Sequence, residues 1–330
     1  MLDADLVLEG GGVKGIALVG AISVLMERGY EFKRVAGTSA GSIVGALVAA
    51  GLSRDELVST VTSIDYAKFQ DGPAWDDLAV GKVVELLSAH GVYHGSYLKK
   101  WLSGVLAAHG VRSFADLRYI DAERPPANPD RAYRLVVNVS DITAGTLRQL
   151  PWDYQEQYQR DPAAEPVVDA VRCSMSIPFF YEPVVMNDGA GAKHWIVDGG
   201  MLSNFPIDLF DAPPGIQPRW PTFGIKLSSK PDAVQRAVAN EVHGMASMSL
   251  ALLNTMTGFY DRMHIDDPSV LERTIFVDTG HVRATDFGLA STQRDELFEN
   301  GRAAATSFLD GAPGQRAWDW ERYKSTYRAS

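Results

Sequence analysis

Two glycine-rich segments near the start of the sequence contain residue types and spacings that could support chemistry. The first, Gly10–Gly15 in "DLVLEGGGVKG", has the pattern G-x-G-x-x-G between an apolar strand and a predicted helix. The pattern is compatible with a dinucleotide-binding loop or with a tight structural turn that needs glycine. It is also compatible with a cradle of backbone N–H groups that stabilise a developing negative charge.

Two details of this segment favour the anion cradle over a nucleotide site. Lys14 is not followed by Ser or Thr, so the segment is not a Walker A loop. Glu31 has roughly the spacing of the acidic residue in a dinucleotide-binding fold, but it precedes the second predicted strand instead of ending it.

The second segment, "VAGTSAG", contains Gly37-Thr38-Ser39-Ala40-Gly41, a G-x-S-x-G pattern between a short strand and an apolar helix. In that context the chain reverses sharply and holds the serine in a strained conformation with its hydroxyl exposed. Small flanking residues avoid clashes where strand and helix meet. A helix-capping serine is the plainer interpretation, but an anion cradle one strand–helix unit earlier favours a nucleophile.

A serine nucleophile needs a base, and the sequence offers two kinds. None of the seven histidines lies in a recognisable motif. Asp198 closes the apolar run "HWIV" and is followed by Gly199 and Gly200. Taken alone, an aspartate before glycine is more often a turn residue that bonds its own backbone.

Alternating strand and helix patterns must position these residues. "LVLEG" and "FKRVAG" are strand-like, whereas "IALVGAISVLMERG" and "SIVGALVAAG" have the apolar composition of buried helices. This alternation predicts an α/β fold with a mostly parallel central sheet between helices. Residues 54–117 have an amphipathic helical pattern and predict helical additions to that sheet.

Composition excludes several classes of protein. The 330 residues carry a formal net charge of −10, which argues against a nucleic-acid binder. The single cysteine, Cys173, excludes an intrachain disulfide and a multi-cysteine metal site. No signal peptide pattern and no uninterrupted apolar run of membrane-spanning length is visible, so we expect a cytoplasmic protein, with peripheral membrane contact left open.

The motifs "GGGVKG", "GTSAG" and "DGG", in this order, resemble those of the patatin-like phospholipases, in particular the bacterial members. "SMSIPFFYEPV" and "TDFGLASTQRDELFENGRAAATSFL" are similar to further segments of that family. The resemblance covers most of residues 1–310. It implies a Ser–Asp dyad with Ser39 as the nucleophile and Asp198 as the base, and an oxyanion hole formed by the N–H groups of Gly10, Gly11 and Gly12.

The same resemblance implies supporting roles for the other motif residues, with Lys14 at the family's Arg/Lys position. The lysine would add positive potential near a phosphate headgroup or hydrogen-bond to loop carbonyls. The supporting residues are Val13, Lys14, Gly15, Gly37, Thr38, Ala40, Gly41, Gly199 and Gly200.

The implied architecture is related to the α/β-hydrolase fold, with a catalytic domain over residues 1–310 and a tail over 311–330. The tail interleaves aromatic residues with Arg and Lys. That composition suits a lipid interface, and it suits a docked terminal helix or a subunit contact equally well.

The expected function is that of a lipid acyl hydrolase of phospholipase A type, acting on glycerophospholipids at a membrane surface or micelle. A lysophospholipase, neutral-lipid lipase or acyltransferase of the same mechanism is the alternative. A nucleotide-binding protein that uses the "GGGVKG" loop is a more distant one. We expect no cofactor and no metal, and the sequence leaves an activating partner and homo-oligomerisation open.

Overall fold

The computed structural model of the protein describes residues 2–72, 93–121, 123, 126, 128–213, 215–228 and 267–328. Its strands are β1 (Leu2–Leu8), β2 (Tyr30–Thr38), β3 (Leu135–Asp141), β4 (Thr146–Leu150), β5 (Val184–Asn187), β6 (Lys193–Asp198), β7 (Thr222–Lys226) and β8 (Thr274–Phe276). Its helices are α1 (Gly15–Glu27), α2 (Ala40–Ala49), α3 (Arg54–Thr62), α4 (Ser96–Ala108), α5 (Tyr154–Tyr158), α6 (Val167–Ser174), α7 (Pro268–Glu272), α8 (Ser291–Asp310) and α9 (Trp320–Tyr327).

The described strands form one mixed sheet that is mostly parallel and flanked by helices, as the sequence predicts. The order of pairing is β5-β6-β3-β2-β1-β7-β8, and β4 pairs with β3 outside this path. The contacts among β3, β2, β1, β7 and β8 are parallel, whereas β4, β5 and β6 pair antiparallel. Every residue of β3 is buried, which agrees with its continuous apolar run.

The pairing register of β3 brings the ends of two other strands together. Val137 pairs with both β2 and β4, so these two strands lie on opposite edges of β3. Val139 pairs with both β4 and β6, so β6 also lies opposite β4. Consequently β2 and β6 pair with successive parts of the same edge of β3. They run in opposite directions, and their carboxyl ends meet.

Helices α1 and α8 pack closely on one face of the sheet because glycines lie at their crossing. A Cβ atom at Gly20 would lie 2.1 Å from the Phe298 carbonyl oxygen, and one at Gly301 would lie 2.0 Å from that of Ala17. The buried α1 is therefore held between the sheet and α8, and the glycine-rich loop before it has a fixed position.

The segment after residue 310 is docked on this core. The Trp318 ring stacks on Phe308 at 5.4 Å between centroids and meets the Phe223 edge at 5.1 Å. Arg328 forms a 2.6 Å ion pair with Asp211. Of the interpretations offered for the tail, the docked helix is the one that the described contacts support.

The predicted helical additions over residues 54–117 lie partly outside the described residues. The described parts contain α3, α4 and short 3₁₀ turns at Tyr66–Phe69 and Phe114–Leu117. These elements pack against α1, α2 and α6 near the carboxyl end of β2.

Candidate active site

Ser39 lies on a strained turn between β2 and α2. Its backbone angles are φ 52° and ψ −126°, in a region that residues with a side chain rarely adopt. The turn is too tight for larger neighbours: a Cβ atom at Gly37 would lie 2.2 Å from the Gly41 carbonyl oxygen, and one at Gly41 would lie 2.5 Å from that of Leu8. The G-x-S-x-G pattern therefore forms the predicted strained turn. The predicted exposure of the serine is wrong, because Ser39 is 5% exposed and Met175 packs beside its hydroxyl.

A network of buried hydrogen bonds stabilises the turn at Ser39. The Ser39 N–H donates to Ser174 Oγ at 2.8 Å, and that hydroxyl donates to the Asn138 carbonyl oxygen at 2.7 Å. The Asn138 amide donates to Thr38 Oγ1 at 3.0 Å. The Ser42 hydroxyl donates to the Ser39 carbonyl oxygen at 2.6 Å. Because each link is buried, the network opposes relaxation of the strained turn.

Asp198 meets this turn because of the strand register. Thr38, the last residue of β2, pairs with Asn138, and Asp198, the last residue of β6, pairs with Val139. The two strand ends thus occupy adjacent positions along one edge of β3. The structure brings Ser39 and Asp198 together although they are far apart in the sequence.

The Asp198 carboxylate is buried, with 6% of the residue exposed, and it accepts a hydrogen bond from the Gly200 N–H at 2.7 Å. Burial raises the pKa of Asp198 to about 6. The nearby Ser39 side chain and the Gly200 N–H oppose this shift. A carboxylate with this pKa is a better proton acceptor than an exposed aspartate and is still ionised at neutral pH.

A second acceptor lies near the Ser39 hydroxyl. The Met175 sulfur is 3.6 Å from Ser39 Oγ. A thioether is a weak acceptor compared with a carboxylate. The Asp198 carboxylate is therefore the group that can take the hydroxyl proton, and Met175 contributes mainly an apolar wall.

Gly10 packs directly against the serine. A Cβ atom at Gly10 would lie 2.9 Å from Ser39 Cβ and 2.3 Å from Asn204 Oδ1. The Asn204 amide donates to the Gly10 carbonyl oxygen at 3.0 Å, and the Gly10 N–H points at the Asn204 carbonyl oxygen at 3.4 Å. The Gly10 N–H is thus partly engaged within the protein. Sequence reasoning missed Asn204; its position six residues after Asp198 was the one available signal.

The rest of the glycine-rich loop leaves backbone donors available. Gly12 has φ 57°, and a Cβ atom there would lie 1.9 Å from the Ala284 carbonyl oxygen, which accepts the Val13 N–H at 3.0 Å. Within the described residues, the N–H groups of Gly11 and Gly12 donate to no other protein group. Free donors beside a serine hydroxyl are what an anion site requires.

The remaining motif residues provide close packing around the two strand ends. A Cβ atom at Gly15 would lie 3.3 Å from the Ala40 side chain, which brings α1 against α2. A Cβ atom at Gly199 would lie 2.3 Å from the Asn138 carbonyl oxygen, and one at Gly200 would lie 2.9 Å from Asn204 Oδ1.

Lys14 lies near a buried ion pair beside the glycine-rich loop. The Lys226 ammonium and the Leu227 N–H both donate to the Glu9 carboxylate, immediately before the three glycines. Burial lowers the pKa of Lys14; the Glu9 carboxylate opposes this effect and the Lys226 ammonium adds to it. This group of charges adjoins the first residue of the glycine-rich loop, an arrangement that the sequence motifs do not reveal.

An apolar cavity of about 390 Å³, measured with its open mouth, adjoins the serine. Residues from the glycine-rich loop and from α2 form one side of it, and α3 with the following 3₁₀ turn forms the other. Its lining consists of Gly12, Gly15, Ala40, Ile43, Val44, Val61, Ile64, Tyr66, Phe69, Met175 and Phe287. A hydrocarbon chain that approached Ser39 from this side would meet an apolar surface.

The described histidines take no part in this site. His194 Nδ1 lies 2.8 Å from Asp141 Oδ2, and His94 Nδ1 lies 2.9 Å from Glu182 Oε1. No hydrogen bond joins Ser39 to His94, His109, His194 or His281. His90, His243 and His264 lie outside the described residues.

Neither a metal cluster nor a membrane-spanning helix occurs in the part of the chain that the structure describes. Among those residues, no group of three or more His, Cys, Asp and Glu side chains could hold a metal ion. No helix within the described ranges is both long enough and apolar enough to cross a membrane.

Comparison with known proteins adds several relatives. The chain is 37% identical over 306 residues to the uncharacterized protein YqhO of Bacillus subtilis strain 168, an alignment that covers 92% of this chain and 97% of YqhO. It is 25% identical over 340 residues to the lysophospholipase NTE1 of Mycosarcoma maydis, covering 97% of this chain but only 15% of NTE1. Among solved structures, VipD from Legionella pneumophila matches with 18% identity and a TM-score of 0.48, covering 92% of this chain and 66% of VipD.

The profile of the family described as "Patatin-like phospholipase" matches residues 6–211, which is more than half of the chain. This range includes both glycine-rich segments and the strand that ends at Asp198. The chain therefore belongs to the patatin-like phospholipase family.

Proposed function

We propose that this protein is a lipid acyl hydrolase of phospholipase A type, which cleaves acyl esters of glycerophospholipids through an acyl-Ser39 intermediate. The observation that carries the proposal is a strained serine beside a buried carboxylate: the Ser39 side chain lies close enough to Asp198 to lower the pKa of that carboxyl group. The adjacent free N–H groups and the apolar cavity supply the remaining needs of the reaction.

The first half of the reaction forms the acyl-enzyme. Asp198 accepts the Ser39 hydroxyl proton while the serine oxygen attacks the ester carbonyl carbon. The tetrahedral intermediate then collapses, the bond to the glycerol oxygen breaks, and Asp198 returns the proton to that leaving oxygen.

The second half of the reaction releases the fatty acid. The Asp198 carboxylate takes a proton from a water molecule, and the resulting hydroxide attacks the acyl-serine carbonyl carbon. The second tetrahedral intermediate collapses to a carboxylic acid, and Ser39 recovers its proton from Asp198. The dyad thus uses one carboxylate for both proton transfers.

Both tetrahedral intermediates carry a negative oxygen that needs hydrogen-bond donors. The N–H groups of Gly11 and Gly12 are the most available donors in the glycine-rich loop, because no described group of the protein accepts a hydrogen bond from them. Each donor of this kind typically contributes about 3 kcal/mol to lowering the barrier. Gly10 contributes less in this proposal, because its N–H points at the Asn204 carbonyl oxygen.

The apolar cavity holds the acyl chain in this proposal and thereby restricts its length. Val61 is buried in α3 and lines the cavity. Replacing Val61 by Phe fills part of that space. We expect hydrolysis of long-chain esters to fall about tenfold or more, because each methylene kept out of an apolar site loses about 0.8 kcal/mol.

The measurement is kcat/KM on a series of p-nitrophenyl esters of increasing chain length. Hydrolysis of the acetyl ester should remain near the wild-type value. Val58→Phe, on the same helix but outside the lining, is the matched control. An equal loss on all chain lengths would show that the cavity does not hold the acyl chain.

Product analysis on defined phospholipids tests the function directly. Wild-type protein and Ser39→Ala are incubated with a phosphatidylcholine whose two acyl chains differ, and the products are separated by mass. Release of a fatty acid and a lysophospholipid by the wild type alone supports the proposal. Activity confined to lysophospholipids or neutral lipids would assign the same chemistry to another substrate, and acyl transfer to an alcohol would identify an acyltransferase.

A phosphate-holding loop is the remaining alternative. It would explain the free N–H groups of Gly11 and Gly12, but it gives no function to the strained Ser39 or to its contact with Asp198. The hydrolase proposal accounts for all three features.

A further inference from the structure

Phe179 has an unusual conformation for a large aromatic residue. Its φ is +67°, in the left-handed region that is a genuine outlier for a bulky side chain. It is also 46% exposed, so nearly half of this large apolar residue meets solvent. An exposed aromatic residue in a strained conformation is a candidate for a functional contact.

The turn that carries Phe179 is fastened from within. The N–H groups of Phe180 and Tyr181 both donate to the Ile177 carbonyl oxygen, at 3.0 and 2.9 Å. The buried Tyr181 hydroxyl donates to the Phe69 carbonyl oxygen at 3.1 Å. These hydrogen bonds fix the backbone on both sides of Phe179.

A second set of contacts fixes the same turn from the neighbouring chain segment. The Tyr93 N–H donates to the Phe180 carbonyl oxygen, and the Glu182 N–H donates to the Tyr93 carbonyl oxygen, each at 3.0 Å. The buried Arg172 guanidinium donates to the Glu182 carbonyl oxygen at 3.0 Å. Because these hydrogen bonds fix the turn, the exposure of Phe179 is a property of its defined backbone conformation.

The turn forms part of the rim of the apolar cavity. The Phe180 ring stacks on Phe287 at 5.3 Å with an interplanar angle of 18°. Phe287 and Met175 line the cavity, and Met175 contacts Ser39. Phe179 is thus the chain neighbour of a ring that packs on the wall of the cavity.

We propose that Phe179 inserts into the acyl layer of a lipid surface and marks the edge at which substrate passes into the cavity. This inference rests on the proposed function, because it is the lipid substrate that must leave its aggregate beside the rim. Moving an exposed aromatic ring from water into hydrocarbon is favourable. The lipid surface is the occupant chosen because the exposed ring adjoins Phe180, which packs on the wall of an apolar cavity beside the serine.

The charge of the protein indicates which surface is involved. The formal net charge is −10, which opposes adsorption to anionic lipid. Insertion of an apolar ring needs no anionic headgroup. We therefore expect binding to uncharged phosphatidylcholine vesicles that changes little with salt concentration.

The test measures vesicle binding separately from catalysis. Phe179→Asn is prepared in the Ser39→Ala background, because Asn tolerates positive φ and removes the ring without straining the turn. Co-sedimentation with phosphatidylcholine vesicles should show partitioning about tenfold weaker than that of Ser39→Ala alone. Phe179→Trp should retain binding. Ile216→Ser is the matched control, since Ile216 is 50% exposed and lies beside Trp220, away from the serine.

A second readout compares the active wild type with Phe179→Asn, both with Ser39 intact. The ratio of activity on vesicles to activity on a soluble short-chain ester should fall about tenfold with Phe179→Asn. Equal vesicle binding of Phe179→Asn and its parent would overturn the inference. A change in oligomeric state on size-exclusion chromatography, with vesicle binding unaltered, would also overturn it and assign the ring to a second copy of the chain. If wild type cleaves no ester while Phe179→Asn still loses vesicle binding, the proposed function fails and the lipid contact stands.

Discussion

Ser39→Ala is expected to lower ester hydrolysis by a factor of about 10⁴ to 10⁶ without unfolding the protein. The substitution removes the oxygen that forms the covalent intermediate, so the glycine donors alone can assist water. The substitution removes one buried hydroxyl group. The hydrogen bond from the backbone N–H of residue 39 to Ser174 Oγ remains. The measurement is kcat on a soluble ester, with circular dichroism to confirm the fold.

Covalent labelling gives an independent readout of the same prediction. A fluorophosphonate probe should label the wild type at Ser39 and leave Ser39→Ala unlabelled, because only an activated serine reacts at a useful rate. Ser63→Ala is the control: its hydroxyl is exposed and donates to the Thr60 carbonyl oxygen. Labelling that persists in Ser39→Ala would place the nucleophile elsewhere.

Asp198→Asn should have the second largest effect, with kcat reduced by about 10³ to 10⁴. An amide cannot take the serine proton, although it can still accept the bond from the Gly200 N–H. In wild type, kcat/KM should fall as the pH drops below about 6, because the pKa of Asp198 is raised to about 6 and the acid form cannot act as a base. The residual activity of Asp198→Asn should lack this acidic limb.

The same variant is expected to be more stable than wild type. The folded protein holds the Asp198 proton up to about pH 6, whereas in the unfolded chain the group ionises near its ordinary value of 3.8. Folding stability therefore decreases as the pH rises through this window. Because one pKa unit corresponds to about 1.4 kcal/mol, the ionised carboxylate costs the folded state about 3 kcal/mol above pH 6.

Urea unfolding measures this difference. Asp198→Asn should raise the free energy of unfolding by about 1–3 kcal/mol at pH 8, and the gain should shrink as the pH approaches 4. A variant that loses both activity and stability would indicate a structural role for Asp198 instead of a catalytic one.

His194→Gln tests the alternative in which a histidine is the base. His194 is half-buried, contacts Asp141 and lies on β6, the strand that ends at Asp198. The His194→Gln substitution therefore alters the same strand without changing Asp198. Activity should stay within a few-fold of wild type. If His194→Gln abolished activity while Asp198→Asn retained it, the dyad proposal would be wrong.

The local part of the site could be predicted from the sequence. Gly37 is needed because a Cβ atom there would lie 2.2 Å from the carbonyl oxygen of Gly41, four residues along the chain. Gly41 and Gly12 make room for distant backbone, at Leu8 and Ala284, but glycine is itself a visible signal of such close approaches. Patterns that satisfy such short-range steric rules leave a signature in a few consecutive residues.

The supporting contacts left no comparable signature. Asn204, Ser174 and Asn138 reach the site from three distant segments, and each is a common residue in an ordinary context. Similarly, the aromatic residues of the tail gave equal support to a lipid interface and to a docked helix. Only the contacts of Trp318 with Phe223 and Phe308 distinguish the two.

The sequence by itself predicted the mostly parallel α/β sheet, the strained serine turn and the glycine-rich loop, because periodicity and glycine spacing are visible in a few consecutive residues. It singled out Asp198 through resemblance to a family, but it contained no distance from Ser39. The proximity of Ser39 and Asp198 depends on how β2 and β6 pair with β3, which places the ends of both strands at neighbouring positions on one edge of β3. Tertiary burial then raised the pKa of Asp198, since desolvation depends on every segment packed around a group and not on its own neighbours in the chain.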